Sequence, residues 1–130
     1  MSLCLHYCEE YKVRHSYNCI GNWQQSNINY ILKSLTERFG GEFWYSDDSC
    51  EYSDSLEIDK ETVRKIAFEL SSCGGDWKKV PVNFEEEEWL IPAMDEIAEQ
   101  GITPAYMSEF LLDAANNAEP TIDYVRFTWL

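Results

Sequence analysis

The sequence predicts a single α+β domain over residues 1–130, built as a mainly antiparallel sheet of about four or five strands with about three or four helices packed on one face. Three observations predict it. Strand-like composition stands at both ends of the chain, helical periodicity with clear caps fills the middle, and the 45% hydrophobic and 15% aromatic content is too high for a disordered acidic segment. A chain of 130 residues makes one core, because a second would be too small to stand alone.

Residues 3–20 interleave Tyr, Leu, Val, Cys and His with polar residues, and period-2 alternation puts Leu3, Leu5 and Tyr7 on one face and Cys4, His6 and Cys8 on the other. One strand, or two joined by a turn, follows. Ser26 is placed to cap a helix in which Ile28, Ile31, Leu32, Leu35 and Phe39 recur at helical spacing, and Gly40-Gly41 supplies the stop. Glu42 to Ser46 reads as a short aromatic strand, Asp47 to Ser55 as a turn, and Leu56 to Ile58 as a strand pairing back. Asp59 caps a second helix whose stripe is Val63, Ile66, Ala67 and Leu70, with Ile58 and Val63 as a hydrophobic staple and Gly74-Gly75 as its end. Residues 76–83 form a connector or edge strand, since Pro81 cannot donate to a ladder. A third helix lies between Phe84 and Gln100, with Pro92 either kinking it or opening a separate helix. The fourth has Thr103 as N-cap, Pro104 at its first position, Ile102 and Met107 as a staple, and Met107, Phe110, Leu111 and Ala114 on one face. Residues 121–130 return to strand composition, with Val125, Phe127 and Trp129 on one face and Ile122, Tyr124 and Leu130 on the other.

The formal charge is -14, and it is not spread evenly. Residues 41–59 carry seven acidic side chains and no Lys or Arg, and residues 80–100 carry seven more, again unopposed. Those two blocks equal the whole net charge. A surface this acidic repels phosphates, which excludes direct nucleic-acid binding. No apolar run approaches the roughly 18 residues that span a bilayer, and no basic region followed by an apolar stretch opens the chain. The expectation is a cytoplasmic protein with no membrane partner.

Motifs for chemistry are few. Cys4, Cys8, His15 and Cys19 have the donor types of a Cys3His zinc set, but strand residues four apart sit roughly 13 Å from each other, too far to share a metal without an intervening turn. Cys8 or Cys19 with His6 or His15 could supply a thiolate and its base, yet nothing in the spacing specifies the pair. Five cysteines without CxxC spacing read as free thiols. A calcium loop starting at Asp47 lacks the glycine at its sixth position and has Ile58 where a bidentate Glu belongs. Gly40-Gly41 and Gly74-Gly75 follow helices, so they act as C-caps and not as phosphate cradles. No cofactor and no catalytic constellation is expected.

What remains is acidity beside aromatics. Asp47, Asp48, Glu51 and Asp54 accompany Trp44, and Glu85, Glu86, Glu87 and Glu88 accompany Trp89. Charge of this kind steers encounter with a basic partner, and aromatic anchors supply affinity. The expected function is therefore a small non-enzymatic binding protein, an inhibitor of the immunity, antirestriction or DNA-mimic kind, acting on a basic nuclease or DNA-binding protein and encoded by a phage or other mobile element. The alternative is a small enzyme or a metal- or ligand-binding domain using the Cys/His-rich N-terminal segment. The stretch Tyr30 to Trp44 (YILKSLTERFGGEFW), followed by an acidic turn and a helix over Asp59 to Leu70, resembles the helix, Gly-Gly, Phe-Trp stretch of ArdB-type antirestriction proteins. This resemblance covers under a third of the chain and implies the same class of inhibitor.

Overall fold

The computed structural model describes residues 5–9, 12–14, 25–45, 55–80, 89–118 and 120–129, with residues 6–9, 12–14 and 25 described by their backbone. In chain order the elements are β1 (Leu5–Glu9), β2 (Lys12–Arg14), α1 (Gln25–Arg38), β3 (Phe43–Tyr45), β4 (Ser55–Asp59), α2 (Lys60–Ser71), a short 3-10 turn (Trp77–Lys79), α3 (Leu90–Glu99), α4 (Pro104–Asn117) and β5 (Tyr124–Trp129). All pairings are antiparallel and the order across the sheet is β2-β1-β5-β4-β3. The mixed helix-and-sheet character agrees with the α+β expectation.

Local chemistry explains most boundaries. Gly40, at φ +70°, closes α1: its N–H donates to the Glu37 carbonyl at 3.0 Å and the Gly41 N–H to that of Thr36 at 2.9 Å, the two bonds of a Schellman motif. Gly101, at φ +83°, closes α3 in the same way onto Ala98 and Ile97. The Asp59 carboxylate caps α2 by accepting the Thr62 N–H, and the Thr103 hydroxyl caps α4 by accepting that of Tyr106, with Pro104 in the first position. The expected cap of α1 is corrected. α1 begins at Gln25, so Ser26 lies inside its first turn instead of capping it. Pro92 is the third residue of α3, Leu90–Glu99, where its missing N–H has no intrahelical carbonyl to reach; whether helix precedes Leu90 lies outside the described residues. The connector after Gly75 forms a 3-10 turn over Trp77–Lys79; Pro81 to Asn83 and the Phe84 to Glu88 stretch lie outside the described residues.

The core sits on one face of the sheet. Alternation in β5 buries Val125, Phe127 and Trp129, while Tyr124 and Arg126 face outward; in β4, Leu56 and Ile58 point inward. Against them pack Ile28, Ile31, Leu32 and Leu35 of α1, Val63, Ile66 and Leu70 of α2, and Met107, Phe110 and Leu111 of α4. The Phe110 and Phe127 rings lie 5.7 Å apart, joining α4 to the sheet. Buried polar groups are tied: Trp129 Nε1 donates to Asn29 Oδ1 at 2.9 Å, Trp77 Nε1 to the Ile102 carbonyl at 2.9 Å, and Ser108 Oγ to the Ala67 carbonyl at 2.6 Å. Cys73 is a free and buried cysteine, and that burial pushes its thiol up, away from the reactive thiolate. Among the described residues no helix is long and apolar enough to cross a membrane.

Candidate functional site

Helices cover one face of the sheet, and the other face carries the site. Register sets its membership. Trp44 of β3 stands opposite Glu57 of β4, which stands opposite Arg126 of β5, so these three form a row across three strands. Asp59 opposite Tyr124 forms the next row, and Ser55 opposite Thr128 the row on the other side, with 3.3 Å between their hydroxyls.

Trp44 is 58% exposed and Tyr124 44%, so two aromatic rings stand open on this face. A cleft of about 170 Å³ beside them is lined by Glu42, Trp44, Glu57, Asp59, Asp123 and Tyr124. Four of those six are carboxylates. On the far side of Trp44 a second cleft, of about 200 Å³, is lined by Trp44, Tyr45, Ser55, Glu57 and Arg126. Arg126 is the basic side chain here, and its Nε lies 3.4 Å from Glu57 Oε1. The face therefore combines an exposed tryptophan with more carboxylates than Arg126 can pair, an arrangement suited to cationic groups through ring faces and carboxylates together.

Asp59 holds this corner in place. Its Oδ1 accepts the Glu42 N–H at 2.8 Å, and its Oδ2 accepts the Thr62 N–H at 3.1 Å and the Thr62 hydroxyl at 2.7 Å. Burial by itself pushes the carboxyl up, but the Thr62 side chain and the Glu42 and Thr62 N–H groups outweigh it and hold Asp59 below its ordinary value. Asp59 is thus an ionised wall of the cleft.

Trp89 opens elsewhere. It is 71% exposed at the start of α3 and lines a cavity of about 430 Å³ between α1 and α3 with Ser26, Asn27, Tyr30, Pro92, Ala93 and Glu96. Asn27 Nδ2 donates to Glu96 Oε2 across it at 2.6 Å. Trp44 and Trp89 thus belong to different layers, one on the open sheet face and one in the helical layer.

Of the residues singled out from sequence, Trp44 and Trp89 are placed at the surface, while Asp47, Asp48, Glu51, Asp54 and Glu85 to Glu88 lie outside the described residues. So do Cys4, His15 and Cys19, and Cys8 is placed only by its backbone, opposite Val13. Among the described residues no group of three His, Cys, Asp or Glu side chains is close enough to hold a metal ion. Sequence reasoning missed Tyr124, Asp123 and Arg126 as members of this face. Their signal was the alternation of residues 121–130, which already set Tyr124 against the buried row. Compared with protein families, with curated proteins and with solved structures, the chain matches none, so the antirestriction resemblance stays confined to its own short stretch.

Proposed function

We propose that this chain is a small acidic binding protein acting by protein–protein contact in the cytoplasm, an inhibitor of the immunity, antirestriction or DNA-mimic kind, directed at a basic nuclease or DNA-binding protein. The observation that carries this reading is the open sheet face: exposed Trp44 and Tyr124 beside Glu42, Glu57, Asp59 and Asp123, with Arg126 already paired to Glu57. Carboxylates spaced along a twisted sheet present negative charge to the site where a nuclease would hold phosphates, and the rings add contact that phosphates lack. Catalysis forms no part of the proposal.

The test is capture of basic proteins from the host lysate, followed by rebinding of the purified pair over a salt series and an assay of the captured protein's nuclease or DNA-binding activity. The expected result is inhibition that weakens as salt rises, with E42K/D123K slowing association at least about tenfold and Trp44→Ala speeding dissociation. Inhibition untouched by both variants, or none at all, would refute the reading.

A further inference from the structure

β3 stands at one edge of the sheet, and among the described residues only β4 pairs with it. The bond from the Asp59 N–H to the Glu42 carbonyl fixes the phase of that ladder. Two residues on, Trp44 and Glu57 are the pair that exchanges backbone bonds, so Phe43 and Tyr45 turn their N–H and C=O groups away from β4. The neighbouring ladder agrees. Lys60 N–H donates to the Asp123 carbonyl, which assigns Ile58 and Leu56 to β5 and leaves Glu57 and Asp59 for β3.

The outer edge thus offers the N–H and C=O of Phe43 and of Tyr45, the spacing an added strand requires. Edges are commonly blunted with Lys or Pro, whereas this one reads Phe-Trp-Tyr, with Trp44 and Tyr45 exposed. We propose that an extended segment of the basic partner adds here as a further strand, an inference that rests on the acidic-face reading above. Its residue opposite Trp44 falls on the open face, beside Glu42 and Glu57, and is basic. The residues paired with Phe43 and Tyr45 fall on the other side, next to two rings 6.1 Å apart, and are apolar. The occupant therefore alternates basic and apolar residues. A second copy of this chain is the wrong occupant, because edge-to-edge pairing would bring two such carboxylate faces together on molecules of charge -14.

The probe is a short peptide of alternating lysine and valine, with two controls: the same peptide N-methylated at alternate residues, and its glutamate–valine counterpart. Binding is followed by amide NMR and hydrogen exchange at low salt. The lysine–valine peptide is expected to bind and to slow exchange of the Phe43 and Tyr45 N–H groups. N-methylation, which needs no change in the protein, weakens binding at least about tenfold. Tyr45→Pro does the same, since its N–H points away from β4 and serves no ladder among the described residues. The glutamate peptide does not bind. Binding lost in E42K/D123K but indifferent to N-methylation and to Tyr45→Pro overturns strand addition and leaves the acidic face standing. Absence of charge-dependent binding overturns both. Slowed exchange at Phe43 and Tyr45 that grows with protein concentration without peptide assigns the edge to a second copy and overturns the proposal.

Discussion

The three bonds accepted by the Asp59 carboxylate join the loop after α1, the end of β4 and the start of α2. Asp59→Ala is expected to destabilise the fold by about 1–2 kcal/mol, the range for losing a capping side chain, measured as a shift in the urea midpoint. Its pH dependence has a definite sign. Because the folded state holds this carboxyl below its ordinary value, its contribution is complete above the unfolded value of about 4 and is lost as pH falls through the folded one. Asp59→Asn should therefore flatten the loss of stability in acid, and urea midpoints across that range would show an unchanged slope if the assignment is wrong. The adjacent glycines separate two physical effects. A Cβ on Gly40 would meet nothing within 4 Å, so Gly40→Ala should cost only its left-handed backbone, about 1–2 kcal/mol. A Cβ on Gly41 would fall 2.6 Å from Thr62 Cγ2 and 2.7 Å from Asp59 Oδ1, so Gly41→Ala must also displace buried Thr62 and should be the more damaging of the two in the same assay. Asp59 as a cap was legible in sequence because its partner Thr62 is local. Its bond to Glu42, 17 residues away in sequence, was not.

Helices α2 and α4 form the broadest helix–helix seam, made possible by Ala67, Ala114 and Ala115 buried along it. Ser108 Oγ crosses the seam to the Ala67 carbonyl and is buried, so Ser108→Ala should cost about 1 kcal/mol while leaving helix content by circular dichroism unchanged. A loss of helix content instead would mean that the serine shapes α4 itself. Element by element, caps and periodicity were the readable part: Asp59, Thr103 with Pro104, the Gly40 stop and the alternation of β5 each act within a few residues. The start of α1 was misplaced by two residues because Ser26 has cap chemistry but lies within the first turn, a position that only the backbone path decides. Pro92 was ambiguous for a related reason: whether a proline breaks a helix depends on its distance from an N-terminus that neighbouring residues do not mark.

Across the whole molecule, charge of -14 opposes compaction, and the ion pairs among the described residues, Lys33 with Glu37, Lys65 with Glu61 and Arg126 with Glu57, lie at the surface, where each contributes little. Raising sodium chloride from about 0.01 to 0.5 M should therefore raise Tm by screening repulsion over a Debye length that shrinks from about 30 to a few Å; a fall would show that the pairs outweigh the net charge. The candidate face was legible only in part. Composition marked the acidic block and its tryptophan, but which tryptophans are buried, Trp77 and Trp129, and which open, Trp44 and Trp89, follows from register and helix placement and not from the residues themselves. The sheet order also sets a timetable. β5 lies between β1 and β4, yet it comes after every other described element in the chain. During synthesis the β1–β2 and β3–β4 pairs emerge as separate hairpins, and the two edges that β5 will fill stay open until residue 129 has left the ribosome. Maturation of this sheet is accordingly a last-strand event, and the interval before it is when the nascent chain most needs protection from wrong strand partners.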